Sequence, residues 1–251
     1  MPGFGVPLTG ASMVIAEAPV RIAVIHALEE SIVPARAAFV ELWPEARCFD
    51  LLDTSLAVDL AHKGALDAAM IARFLRLADY AGASEGLGGA TAGILFSCSA
   101  FGPAIEAVKA RSSIPALAPN EAAFADALDR GAAFVLVASF EPSLAALAAE
   151  LREMAEARGK PISVKPAFAA GALAALKRGD GAAHDRIVAD AAAAQGEADA
   201  VILGQFSLAR ARAAVERACG IATLATPRSA VGALKRRVLD DRARRASRGL
   251  A

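Results

Sequence analysis

Cys98 stands in the stretch Phe96-Ser97-Cys98-Ser99, directly after an apolar run and shortly before a segment of helical character, Gly102–Arg111. A cysteine at such a strand-to-helix junction lies among unpaired backbone N–H groups, which together with the helix dipole favour the thiolate. A thiolate there can take a proton from a carbon acid or attack an electrophilic carbon. The same N–H groups, with the Ser97 and Ser99 hydroxyls, can hold a carboxylate or a developing oxyanion. Taken alone, Cys98 is also readable as one more small apolar core residue, as free cysteines often are. Cys48, inside an apolar run, and Cys219, just before Gly220, carry only that packing reading. His26 closes the first apolar run and is either a site residue or a hydrogen-bonded loop histidine. His62 and His184, with charged neighbours, read as surface residues.

Several kinds of chemistry are missing. The chain holds no His-x-His, HExxH or CxxC cluster, so no metal is expected. No Gly-rich loop ends in Gly-Lys-Ser/Thr, and Gly86-Leu87-Gly88-Gly89 precedes a strand instead of following one, a poor dinucleotide fingerprint. With 27 basic and 27 acidic residues the net charge is zero, whereas nucleic acid binding normally needs a basic face. The longest apolar stretches, 132–138 and 166–176, fall short of the roughly 20 residues of a membrane span. Met1–Ala18 has no basic residue and so lacks the charged start of a secretory signal; residues 1–20 are expected to be an N-terminal extension. Three cysteines at wide spacing make no disulfide framework, which points to a reduced, cytoplasmic setting.

The elements that must position these residues alternate in type. Short, continuously apolar runs read as strands covered on both faces: Ile22–Ile25, Ala46–Leu51, Gly93–Ser97, Pro115–Ala118, Phe134–Ala138, Ile162–Lys165, Ala200–Gly204 and Thr223–Ala225. Alanine-rich helical segments lie between them, with start signals at Ser31 before Ile32–Leu42 and Ser143 before Leu144–Ala157. Gly159-Lys160-Pro161 stops the second of these. Such alternation predicts an α/β fold with parallel sheets.

The pattern occurs twice. Ile94 and Val201 begin matching apolar runs 107 residues apart, and the later Ile-x-x-Leu-Ala strands at Ile114 and Ile221 keep the same offset. Each then turns at a proline, Pro119 or Pro227, into another helix. The sequence therefore predicts two similar α/β lobes, at 21–118 and 119–224, with residues 225–251 forming a helix (Ala230–Leu239) that returns to the first lobe, and a basic tail. Seven basic residues in Lys235–Arg248 suggest a helix end that frays in solvent; a basic docking tail is the alternative.

Ligands of parallel sheets collect at the carboxyl ends of strands. The polar residues there are His26, Ser97, Cys98, Ser99 and Asn120 in the first lobe, and Ser139, Gln205, Ser207 and Ser229 in the second. Asn120, followed by Glu121, can cap a helix, bind a ligand, or do both. Arg228 and Arg210 are candidates for pairing with a second substrate carboxylate. The 107-residue offset sets Gln205 where Cys98 stands in the other lobe.

With two duplicated lobes and a cysteine after a central strand, the chain resembles the aspartate/glutamate/hydantoin racemase family over roughly 21–238. The stretches that carry the resemblance are GILFSCSAFGPAI (Gly93–Ile105), DAVILGQFSLA (Asp199–Ala209) and TPRSAV (Thr226–Val231). The resemblance implies two pseudo-symmetric α/β domains with the site in the cleft between them, no cofactor, and a small carboxylate substrate. It is compatible with a homodimer. In that family two cysteines, one per lobe, typically work on opposite faces of a carbon next to a carboxylate. Cys98 matches the first-lobe cysteine and Ser99 the small polar residue after it. Gln205 departs from the pattern, because an amide exchanges no protons usefully near neutral pH. The family's arylmalonate decarboxylase branch implies that one cysteine can suffice, although that branch keeps the second-lobe cysteine. A racemase-type isomerase acting through Cys98, a one-cysteine decarboxylase or isomerase, covalent catalysis by Cys98, and a two-lobed anion-binding protein all remain open on the residues.

Overall fold

The computed structural model describes residues 19–249, so most of the expected extension at 1–20 lies outside the described residues. The first half runs β1 (Val20–His26), α1 (Ile32–Leu42), β2 (Ala46–Leu52), α2 (Ser55–Lys63), α3 (Ala68–Gly82), β3 (Glu85–Gly86), β4 (Gly89–Phe96), α4 (Gly102–Arg111) and β5 (Ala116–Leu117). The second runs α5 (Glu121–Arg130), β6 (Ala133–Ala138), α6 (Glu141–Ala157), β7 (Ser163–Phe168), α7 (Ala172–Lys177), α8 (Gly181–Ala193), β8 (Ala200–Leu203), α9 (Arg212–Cys219), β9 (Thr223–Ala225) and α10 (Thr226–Ser247). One sheet has the order β2-β1-β4-β3 with β5 also on β4, the other β7-β6-β8-β9. The fold is thus two α/β lobes.

The repeat is carried into hydrogen-bond register. Ala23 pairs with Ile94 and Ile94 with Ala116; Val135 pairs with Val201 and Val201 with Thr223. Past the strands the correspondence continues, with Ser97 N–H donating to Ile25 O at 3.0 Å and Gly204 N–H to Val137 O at 2.9 Å. Cys98 and Gln205 are therefore equivalent positions in backbone geometry as well as in numbering.

Three elements differ from expectation. β3 pairs antiparallel with the start of β4, a ribbon turned at Gly86–Gly89, where Gly86, Gly88 and Gly89 all have positive φ. The terminal helix is longer than Ala230–Leu239, and Lys235–Arg248 does not fray. Asp241 pairs with Arg244 and Arg245 there, and Arg245 also reaches Ser113 O, which ties this end of the helix to the loop after α4. At α6 the start lies at Glu141-Pro142, with Ser143 inside the first turn donating to Phe140 O at 2.7 Å. A proline that needs no N–H at the first turn sets that boundary more firmly than the serine does.

α10 packs on α1 and β4, while α5 packs on β8, β9 and α6. Ala230, Val231, Leu234 and Val238 of α10 are fully buried beside Ile22, Val24 and Leu95. Each such large side chain contributes roughly 1.5–3 kcal/mol on burial, more than its exposed ion pairs can. The approach is close at Gly93, where an added Cβ would lie 2.8 Å from Val238 Cγ2 and 3.2 Å from Leu234 Cδ1. Gly93→Ala is expected to cost about 1–3 kcal/mol through overpacking, seen as a lower urea midpoint with unchanged slope. An unchanged midpoint would mean that α10 is not seated this tightly.

Candidate active site

β4 ends at Phe96, and Cys98 caps a 3₁₀ turn, Ser99–Phe101, before α4 begins. The turn is pinned by Phe101, fully buried with its ring 4.6 Å from that of Phe74, which lies 5.9 Å from Phe96. Cys98 packs against this apolar cluster. Burial pushes its thiol up to about 11, against the opposing hydrogen bond from the Ala100 backbone. The expectation of an ionised sulfur is therefore not met. The partial charge of one N–H is outweighed by the loss of water around the sulfur. Cys98 is thus a half-buried residue with a neutral thiol.

Ser97, on the other side of the same backbone, enters a buried polar chain. Its Oγ–H donates to His26 Nδ1 at 2.8 Å, and His26 Nε2–H donates to Asp50 Oδ1 at 2.9 Å. The carboxylate can only accept, so it fixes which ring nitrogen carries the proton. Arg36 Nε donates to the other Asp50 oxygen at 2.6 Å. His26 is fully buried and burial lowers its pKa, with Asp50 opposing. It is a neutral, hydrogen-bonded histidine. Asp50, which completes this chain, does not stand out in the sequence. Its one signal there is a carboxylate within the otherwise apolar run Cys48–Leu52.

The second lobe is built differently at the same place. Gln205 caps the 3₁₀ turn Phe206–Ala211, and its Oε1 accepts from Ser139 N–H at 2.7 Å and Ser139 Oγ–H at 2.9 Å. The amide is thus held to the end of β6 by its oxygen. Each of the two turns packs against the other lobe, Ser99–Phe101 on α6 and Phe206–Ala211 on α1. Phe206 is buried within the first lobe's core, beside Phe39 and Val231. Ser207 is also buried in that turn.

Ser99 and Asn120 line one cavity of about 970 Å³ between α4, α5, α6 and α10. Asn120 is buried, but its side chain caps nothing. It lies close to Glu150 instead, and its Oδ1 has no partner. Glu150 is a further site residue absent from the sequence expectations, since a glutamate on an alanine-rich helix gives no sign of facing inward. Burial and the nearby Glu121 and Glu106 charges push its pKa up to about 7, with Lys109 and Asn120 opposing. Lys109 is itself engaged, at 2.8 Å by Glu106 and 2.7 Å by Glu121.

Other expected residues fall elsewhere. Ser229 lines a separate cavity of about 280 Å³ with Arg212 and Thr223. Arg228 pairs with Glu41, and Arg210 binds Asp185 through Nε at 2.8 Å, so neither is a free cation for a second carboxylate. His184 is fully buried, not at the surface; it bonds Asp185 at 2.8 Å, and the charged neighbour that suggested exposure is its partner. Cys48 is a half-buried strand residue whose thiol burial raises to about 12. No described helix is long and apolar enough to cross a membrane.

A profile of the Asp/Glu/Hydantoin racemases matches residues 35–234, and the chain belongs to that family. Its fold is shared with solved members at low identity. Glutamate racemase RacE1 from Bacillus anthracis is 12% identical, superposes with a TM-score of 0.63, and pairs 92% of this chain with 83% of that one. Allantoin racemase from Klebsiella pneumoniae is 17% identical with a TM-score of 0.62, covering 92% of this chain and 89% of the other. Picrophilus torridus aspartate racemase is 11% identical with a TM-score of 0.65, covering 87% and 94%. No curated protein matches the chain.

Glu150 offers a direct check of the cavity. A carboxyl that ionises near 4.5 when unfolded and about 7 when folded stabilises fully below pH 4.5, and that stability is lost as pH rises to 7. Glu150→Gln, which mimics the protonated form, should therefore raise stability by about 1–3 kcal/mol at pH 8 and change little at pH 4. Urea unfolding at the two pH values measures this. An equal effect at both would show that Glu150 is not desolvated.

Proposed function

We propose that this racemase-family chain is a cofactor-independent enzyme in which Cys98 transfers a proton at the carbon next to a carboxylate. One observation carries the reading. Cys98 and Gln205 are equivalent in register and head the two turns that meet the opposite lobe, yet only one of them can exchange a proton. Ser99 and Asn120 are the proposed donors to the substrate carboxylate, since they line the interlobe cavity. Gln205, held by Ser139, would orient the substrate through its amide NH2.

The neutral state of Cys98 favours a second reading, decarboxylation. There the bond from the α-carbon to one carboxylate breaks, carbon dioxide leaves and the electron pair stays behind as an enediolate; the thiol S–H bond then breaks to give its proton to the α-carbon, leaving a thiolate to be reprotonated from solvent. A thiol that ionises at about 11 carries that proton throughout the neutral pH range. Racemisation instead needs the thiolate first, at the cost of deprotonating a desolvated sulfur.

Incubation of 2-substituted acids in heavy water separates the readings. Racemisation appears as α-deuteration with loss of chirality, and decarboxylation as release of carbon dioxide with one deuteron in the product. Cys98→Ala should abolish either; retained activity removes Cys98 from the mechanism. Alkylation of Cys98 in the unliganded protein should rise about tenfold per pH unit from pH 7 to 10, because the thiolate fraction keeps growing up to the pKa. A plateau by pH 9 would show an ordinary thiol.

A further inference from the structure

We propose that Asp50, acting through His26 and Ser97, is a positioning residue for the loop that carries Cys98. The inference rests on the reading that Cys98 performs the chemistry, but its geometry is independent of that reading. Four groups are joined in one line, Arg36 on α1, Asp50 on β2, His26 at the end of β1, and Ser97 immediately before Cys98. Every hydrogen bond in the line has a fixed direction. Asp50 accepts from Arg36 and from His26 Nε2–H, which leaves Nδ1 as an acceptor and commits the Ser97 proton to it.

The second lobe supplies an internal comparison. In register, Val24 pairs with Asp50 and Leu136 with Pro166, so Pro166 occupies the place of Asp50. Ile25 pairs with Phe96 and Val137 with Leu203, so the next residues, His26 and Ser97, correspond to Ala138 and Gly204. The same backbone is therefore built in the second lobe from alanine, glycine and proline. At Gly204 a serine would crowd its neighbours, since an added Cβ would lie 3.0 Å from Leu147 Cδ1 and 3.2 Å from Val137 O. The fold does not require the polar line. Burying a histidine, a hydroxyl and a carboxylate costs free energy unless every group is paired. The line stands only beneath the loop with the thiol, where a displacement of about 1 Å would matter to proton transfer.

The loop also holds Cys98 against the Phe74, Phe96 and Phe101 cluster. Cutting the line should let the loop rise and return water to the sulfur. Asp50→Asn keeps the shape but turns its NH2 toward His26 while its oxygen serves Arg36. The expected result is a shift of the His26 proton from Nε2 to Nδ1, visible in the ¹⁵N spectrum of histidine-labelled protein. Ser97→Ala removes the last link without touching the carboxylate. Asp50→Asn reverses the line without cutting it, because the Ser97 hydroxyl can accept from Nδ1–H. In Asp50→Ala and Ser97→Ala, which do cut it, Cys98 should be alkylated by iodoacetamide at pH 8 about tenfold faster, as expected for a thiol pKa lowered by about one unit. Cys219 is the internal reference, and Ser97→Thr, which keeps the hydroxyl, should restore the wild-type rate. Turnover should fall with the alkylation change. Unchanged Cys98 alkylation in Ser97→Ala, or equal acceleration at Cys219, overturns the proposal. Retained turnover in Cys98→Ala would instead overturn the proposed function, leaving the tautomer and alkylation results to stand.

Discussion

The contact on which the arrangement depends is the reciprocal packing of two strand-end turns. Each lobe extends the turn after its central strand onto a helix of the other lobe, and Phe206 is wholly buried in the first lobe's core. An aromatic side chain of that size contributes several kcal/mol when desolvated. The turn can therefore neither withdraw nor rotate without exposing it. Cys98 and Gln205 immediately precede the two turns, so the packing that joins the lobes also fixes the backbone at both positions. That coupling has a consequence for chemistry. The apolar residues that hold the Cys98 turn also strip water from the sulfur, which is why it stays protonated.

Duplication gave two equivalent frames, and the side chains within them have diverged toward different tasks. In the first lobe the strand ends carry a polar line from Arg36 to Ser97. In the second, the polar contact is shorter and joins different positions, with Gln205 tied to Ser139. Backbone hydrogen bonds do not depend on side-chain identity, so the register survives such changes. The chemistry does not. A thiol can exchange a proton where an amide can only donate or accept hydrogen bonds, so the two equivalent places no longer offer the same chemistry.

Much of the frame was legible because its strands are covered on both faces. Continuous apolar runs such as Phe134–Ala138 and Ala200–Gly204 are too apolar for loops and too short for core helices, and the 107-residue offset followed from matching such runs between the halves. What the sequence hid was chiefly pairing between distant polar residues. Asp50 and Glu150 are unremarkable by local pattern, and only the tertiary fold sets one beneath His26 and the other against Asn120. His184 misled for the related reason that charged neighbours mark exposure only when they are not its partners. The antiparallel ribbon at Glu85–Gly89 is too short for any periodicity to register. The thiol's state was missed because a helix-end argument counts the favourable N–H groups and not the surrounding desolvation.

The magnitude of that desolvation bears on what a single thiol can do. A pKa of about 11 makes the thiolate cost about 5 kcal/mol at pH 7. A base working under that burden needs the substrate itself to change the electrostatics, and a bound carboxylate would make the cost greater, not smaller. An acid carries no such burden, since the proton is already in place. The thiolate left after donation is unstable in its apolar seat, which favours rapid recovery of a proton from solvent. The partner position asks nothing contrary of Gln205, whose amide can hold a negative oxygen through its NH2 group without changing charge. On the proposed reading, a neutral thiol is thus suited to delivering one proton to an anionic carbon and poorly suited to removing one.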